Sequence, residues 1–253
     1  MTCQFHSAVV SLVFVVCLGL AGRGVTDANA TEVVTECQQW QEVEFEFTAE
    51  QETSNPYTDV EAWVDFTHDD GTIIRRQMFW DGGQAFRVRF ASPLSSGRWN
   101  WKSTGGGEGS GLDGKTGSFA ATQAKVDSPT DFTQHGFWSI PKGGRNLIHA
   151  DGTARLLCAD TAWALPWRAT VDQVKTYAKD RQDKGYNAVL LMTVQPDLKT
   201  KGPRSRTEAK GFDVGFEDLP NGSLQKLNPD YFQTFDKLVD VLTSHGIAPV
   251  YQP

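Results

Sequence analysis

Cysteine is scarce in this chain: four residues in 253, too few for a disulfide-built scaffold of that length. Positive charge is in deficit as well. The chain has 24 Lys+Arg against 31 Asp+Glu, a formal net charge of -7, whereas non-specific nucleic-acid binding needs a basic surface. No apolar run reaches a relaxed membrane span of about 20 residues; the uncharged stretch AVVSLVFVVCLGLA stops at residues 8–21. Histidine numbers only five, and His135 and His149 have no ligand partners at metal spacing, so no metal site is expected. A content of 39% hydrophobic and 22% charged residues argues against a disordered, collagen-like or multi-spanning chain. The length admits one or two domains.

The short apolar run has the length of a signal-peptide core, and Ala28-Asn29-Ala30 places small residues at −3 and −1 for cleavage after Ala30. Residues 1–30 are therefore expected to be a signal peptide, and the mature protein secreted or periplasmic with no membrane association. Cleavage removes Arg23 and Asp27, leaving the net charge at -7, and also removes Cys3 and Cys17. Export permits a disulfide between Cys37 and Cys158. The apolar run Leu156-Leu157-Cys158-Ala159 favours a buried free thiol instead.

What the chain has in excess is tryptophan, eight in all, beside 24 glycines. Tryptophan serves core packing and also stacks on pyranose faces; composition leaves both open. Residues 40–122 read as strands and turns. Val43, Phe45 and Phe47 alternate with Glu42, Glu44 and Glu46, and Val60, Ala62, Val64 and Phe66 alternate likewise. Asp69-Asp70-Gly71 reads as a hairpin turn before Ile73-Ile74. Phe86, Val88 and Phe90 alternate with Arg87 and Arg89, and Gly97 turns into Arg98-Trp99-Asn100-Trp101. Gly105 to Gly111 reads as a flexible connection before a last short strand at Gly117-Ser118-Phe119-Ala120. Close-set strands without helical period predict an antiparallel sandwich.

Beyond residue 125 the period changes. Arg155 to Ala159 reads as a short apolar strand, and Thr170 to Lys184 as a helix capped by Thr170 and ended by Gly185. Ala188 to Met192 reads as a strand covered on both faces. Asn228-Pro229 opens a second helix that Gly246 caps, and Ile247 to Tyr251 is a third strand. The order β-α-β-α-β predicts parallel strands with right-handed crossovers. A (β/α)8 barrel needs roughly 250 residues, so residues 131–253 are expected to be about half of one, with an exposed strand edge and an uncovered face.

Several stretches resemble known proteins. Trp40-Gln41-Glu42-Val43, Asn55-Pro56-Tyr57-Thr58-Asp59-Val60, Phe79-Trp80-Asp81-Gly82, Phe86-Arg87-Val88-Arg89-Phe90 and Gly97-Arg98-Trp99-Asn100-Trp101 resemble the immunoglobulin-like domain that precedes the barrel in a group of bacterial glycoside hydrolases. Cys158-Ala159-Asp160-Thr161-Ala162-Trp163, Tyr177-Ala178-Lys179-Asp180-Arg181, Lys184-Gly185-Tyr186-Asn187, Asn228-Pro229-Asp230-Tyr231-Phe232 and His245-Gly246-Ile247 resemble the start of an apiosidase-like glycoside hydrolase barrel, in which Gly is common where Ala159 stands. The resemblance implies an immunoglobulin-like β-sandwich over 36–124 and the first part of a (β/α)8 TIM barrel over 130–253. It implies a plant or bacterial polysaccharide as partner and no cofactor. Such enzymes use two carboxylates flanking the scissile bond. The resemblance puts that pair on strands from the fourth onward, so no catalytic residue is carried over.

Four substrate-binding candidates remain. Asp160 is expected just after the first barrel strand, either to bind a sugar hydroxyl or orient a catalytic group, or to cap the turn at Thr161-Ala162. Trp163 suits stacking on a sugar ring or packing over the barrel mouth. Gln195 and Gln252 follow the second and third strands, where a side-chain amide reaches a glycan or simply faces solvent. The basic run Lys199, Lys201, Arg204, Arg206 and Lys210 reads as a solvated loop or as a contact for an acidic polysaccharide. A binding or adhesive module whose working part is the sandwich is the competing reading.

Overall fold

The computed structural model describes residues 14–16, 35–107, 109–125, 130–194 and 214–252. The cleavage site after Ala30, Gln195 and the basic run from Lys199 to Lys210 lie outside them.

The alternating segments form two sheets. One has the order β1 (Phe14–Val16), β3 (Glu42–Thr48), β7 (Ala85–Ala91), β6 (Phe79–Trp80). The other has the order β2 (Glu36–Gln38), β9 (Thr116–Thr122), β8 (Arg98–Gly105), β4 (Ala62–His68), β5 (Ile73–Gln77). Only β2 and β9 pair in parallel among these neighbours. Register sets Val43 against Phe90, Phe45 against Val88 and Phe47 against Phe86, so the apolar residues of both strands share one face. That face packs on the other sheet: Phe66 stacks on Phe90 at 4.2 Å between ring centroids and meets Phe45 at 5.4 Å. Trp99 is fully buried, its indole N–H donating to Ser92 Oγ at 2.9 Å, which keeps the polar edge satisfied in an apolar core.

One sequence expectation changes in part. Of the stretch Gly105 to Gly111, Glu108 lies outside the described residues, but β8 runs through Gly105 and Ser110 is buried, with Leu112 just beyond it. A Cβ on Gly105 would stand 2.3 Å from the Glu61 carbonyl oxygen, so only glycine fits. Trp40 turns the chain between β2 and β3 in the left-handed region at φ 63°.

The second unit starts with α2 (Asp131–His135) and a hairpin of β10 (Leu147–Ile148) and β11 (Ala154–Arg155). A sheet of three parallel strands follows, in the order β12 (Ala159–Thr161), β13 (Ala188–Met192), β14 (Ala248–Gln252). The expected strand from Arg155 to Ala159 is thus split. Asn187, itself buried, takes the place of a ladder partner: its Nδ2 donates to Leu156 O at 2.6 Å and its Oδ1 accepts from Cys158 N at 2.9 Å. The segment it holds lies at the surface, with Leu156 84% and Leu157 48% exposed. Cys158 is exposed, contrary to the expected buried thiol: it leads into β12, an edge strand of the sheet, beside the exposed Leu156 and Leu157. Cys37 is buried in the core between the two sheets, and neither cysteine is in a disulfide.

Between the strands come α3 (Leu165–Arg168), α4 (Val171–Asp183) and α5 (Pro229–Ser244); α1 is the single turn Pro56–Asp59 in the first unit. Thr170 caps α4 as its sequence predicts, in a full capping box: its hydroxyl accepts from Gln173 N while Gln173 Oε1 accepts from Thr170 N. Val174 and Ala178 of α4 and Phe235, Leu238 and Leu242 of α5 bury Val189 and Leu191 of β13. The other face of β13 carries Leu190 and Met192, half-buried, beside Val250, 42% exposed. One face of the sheet is covered by helices; the two-sided cover expected of β13 is absent among the described residues.

The two units meet on a charged face. Glu44 points away from the core between the two sheets yet is 7% exposed, with the Arg87 and Arg89 guanidinium groups on its carboxylate. Arg89, opposite Glu44 in register, bonds Glu44 Oε2 through Nε at 2.7 Å and Asp236 of α5 through Nη2 at 2.5 Å. Arg87 reaches Glu44 at 2.5 Å and Asp81 at 2.7 Å. Burial opposes the charge on Arg89, but the hydrogen bonds and charges of Asp236 and Glu44 outweigh it, so its pKa rises further. Gln233 Nε2 donates to Asp81 O at 2.8 Å alongside. Arg89→Ala leaves Glu44 with Arg87 as its remaining cation and frees the half-exposed Asp236, and should cost about 1 kcal/mol of stability in urea unfolding, the scale of one charged hydrogen-bonded contact.

Candidate functional site

The three parallel strands end together at Thr161, Met192 and Gln252. Ligands of open parallel sheets bind at that edge, outside the C-terminal strand ends. Backbone hydrogen bonds tie the loops there into one surface: Ala162 N donates to Leu190 O at 3.1 Å, Met192 N to Trp163 O at 3.3 Å and Thr193 N to Gln252 O at 3.0 Å. Trp163 follows β12 and is 50% exposed. It borders an open hollow of about 400 Å³ with Thr161, Ala162, Ala164, Leu165 and Arg168. Gln252 stands exposed at the end of β14, two strands away. The structure thus brings Trp163 and Gln252 to one edge of the sheet.

Asp160 is elsewhere. It lies within β12 rather than after it, opposite Val189, whose side chain is buried under the helices. Alternation along a strand therefore turns the Asp160 carboxylate toward α4 and away from the open face. Arg181 Nε donates to Oδ2 at 2.5 Å, Tyr177 Oη donates to the same oxygen at 3.0 Å, and Thr161 N donates to Oδ1 at 2.7 Å. The last of these is the backbone contact of the turn-capping reading; the other two make Asp160 a tether between sheet and helix. Partial burial raises its pKa, but the bonds from Arg181, Thr161 and Tyr177 prevail and hold it below the usual carboxylate range. Tyr177 is pushed well above the ordinary phenol value, by burial first and by the Asp160 carboxylate second. The Arg181 guanidinium also lies over the Tyr177 and Tyr186 rings, at 5.0 and 5.3 Å. Of the strand residues on the open face, none is a carboxylate.

Sequence reasoning passed over a second cluster, around the β10–β11 hairpin. His149 is 1% exposed; Trp138 Nε1 donates to its Nε2 at 3.1 Å, which leaves Nδ1 to donate to Gly136 O at 2.7 Å. Phe132 and His135 pack on the same ring, and His135 Nδ1 pairs with Asp151 at 2.7 Å. Bonds from Thr153 N and from His135 lower the Asp151 pKa to about 2. The signal was there in the spacing of Phe132, His135 and Trp138. Their convergence on His149 required the hairpin. Among the described residues no three His, Cys, Asp or Glu side chains come together as metal ligands.

Residues 141–253 match the family model of the apiosidase-like catalytic domain, and residues 36–105 that of a domain of unknown function, DUF5060. Among solved structures, a candidate glycoside hydrolase from Bacteroides vulgatus ATCC 8482 aligns with a TM-score of 0.67 at 21% identity, over 86% of this chain and 41% of that one. A glycoside hydrolase family 5 protein of the same organism aligns with a TM-score of 0.35 at 20% identity, over 48% of this chain and 25% of that one. The chain therefore spans about two fifths of the first structure's length. No curated protein matches. The chain shares its fold with the first of these structures over the aligned residues.

The sign of the Asp160 contribution follows from its lowered pKa. Its stabilisation is present above the unfolded carboxylate value near about 4 and is lost as pH falls through the lower folded value. Asp160→Asn should lower the melting temperature at pH 7 by a few degrees and flatten the stability loss below pH ~4. Thermal melts across that range check both.

Proposed function

We propose that the chain is part of a secreted glycoside hydrolase acting on polysaccharide. The observation that carries this reading is the match of residues 141–253 to an apiosidase-like catalytic domain, lying on a parallel sheet whose strand ends present Trp163 and Gln252. In this reading residues 1–30 are a signal peptide, 36–124 an immunoglobulin-like sandwich, and 130–253 the first part of a (β/α)8 barrel. Trp163 offers an indole face to a sugar ring, and Gln252 an amide to its hydroxyls. Gln195 serves as a third contact, following β13.

The residues present bind rather than cleave. Glycoside hydrolysis needs one carboxyl group on each side of the scissile bond, and positioned acid–base help is worth about 10²–10⁴-fold. Asp160, the carboxylate of β12, is committed to Arg181 and Tyr177 on the helix side. The 253-residue protein should therefore show no enzymatic turnover on aryl glycosides or on plant and bacterial polysaccharides. Turnover that disappears in Asp160→Asn would refute this assignment of roles. Export is checked separately: N-terminal sequencing of the exported protein should begin at Thr31, and a cytoplasmic product that retains Met1 would remove the signal peptide.

A further inference from the structure

A second hollow, of about 380 Å³, opens on the first unit, away from the strand ends of the parallel sheet. It lies between residues 49–60, the β6–β7 turn and the residues Gly106, Ser110 and Leu112. Ligand pockets typically enclose about 300–1,000 Å³. Its floor is apolar: Ala49, Phe86 and Leu112 are buried, and Val60 is half-buried against the sandwich core. Its rim is polar and exposed, with Glu52, Thr53, Ser54 and Gln84.

Trp80 stands at this hollow, half-buried, and its indole is fixed. Nε1 donates to Gly83 O at 2.9 Å, across a turn that Ala85 N closes onto Gly82 O at 2.9 Å. The facing segment is fixed too. Ser54 Oγ and Asn55 N both donate to Asp59 Oδ2, at 2.9 and 3.1 Å, at the start of α1. A rigid ring beside fixed polar groups loses little entropy on binding.

The lining decides the chemistry. Among the described residues no Lys, Arg or His borders the hollow, and Glu52 adds a negative charge, so phosphates and uronates are disfavoured. An apolar floor with an indole suits the C–H face of a pyranose, and the rim of amide, hydroxyl and carboxylate groups suits its equatorial hydroxyls. We propose that this hollow is a glycan-binding subsite that takes one or two neutral sugar units. It is distinct from the strand-end hollow at Trp163 and does not depend on the hydrolase reading.

Its position relative to the second unit is also set. The segment that forms the rim carries Asn55, whose Nδ2 donates to Gln225 O at 2.8 Å, and Tyr57, whose ring meets Phe216 edge-on at 5.7 Å. A sugar held here is held at a fixed distance from the parallel sheet, as suits a second grip on one polysaccharide chain.

The test is affinity electrophoresis of the 253-residue protein in native gels containing xylan, mixed-linkage β-glucan, arabinan, galactomannan, starch or polygalacturonate. All measurements use a Trp163→Ala background, which removes the indole of the strand-end hollow. The protein should be retarded by at least one neutral polysaccharide and not by polygalacturonate. Gln84→Ala and Glu52→Ala change exposed rim residues and should each weaken that retention at least fivefold. Trp80→Ala should abolish it, and Trp80→Phe should keep a part, with circular dichroism showing which variants fold. Absence of retardation in every neutral gel, or retardation that the rim variants leave unchanged, would overturn the proposal. Catalytic turnover enters none of these readings, so failure of the hydrolase assignment and failure of this one are separable.

Discussion

The docking of the two units rests on an ion-pair network built around one carboxylate that has left water. Glu44 sits on the outer face of β3, where alternation alone would leave it solvated, and is buried between Arg87 and Arg89. A carboxylate so placed is costly unless it is paired and hydrogen-bonded. Arg87 and Arg89 meet that demand from the neighbouring strand, and Asp236 extends the chain of charges onto the helix. Because a guanidinium bonds through a planar fork, the pairing specifies angle as well as proximity. The second unit is thereby held against one strand pair of the first, and the contacts of Gln233 with Asp81 and of Asn55 with Gln225 fall into place around it.

Within the second unit the division of faces follows from parallel pairing. Helices return between parallel strands and cover the face on which Val189 and Leu191 lie. Every residue in phase with these belongs to the helix side, every residue out of phase to the open side. Asp160 is in phase and therefore tethers α4. Thr161 is out of phase, and Trp163 follows it past the strand end, at the open hollow. A shift of one residue in the register of β12 would exchange these roles.

Much of this was legible along the chain. The alternation of Val43, Phe45 and Phe47 identified β3; the Thr170 cap and the Asn228-Pro229 start located α4 and α5; Gly185 and Gly246 marked their ends. Trp163 lies past the end of β12, and Gln252, read as following its strand, is instead the last residue of β14, at the same edge of the sheet. The reading of Asp160 as a strand-end group erred because β12 is only three residues long and begins later than the apolar run suggests. The surface position of Cys158 was equally out of reach, since apolar neighbours signal burial only when a partner layer exists to bury them.

What the sequence by itself determined is therefore what depends on neighbours a few residues apart: period, caps, turns and the order of strands and helices. What the tertiary structure decided is which side of each element is inside. It linked Glu44 through Arg89 to Asp236 of α5, turned Asp160 to Arg181, closed Asn187 onto Leu156 and Cys158, and gathered Phe132, Trp138 and Asp151 around the His135–His149 pair. The physical reason is that a local pattern states that a residue alternates or recurs, while burial and charge pairing depend on register and on what packs across the interface. Those are set between segments as far apart in sequence as Arg89 and Asp236.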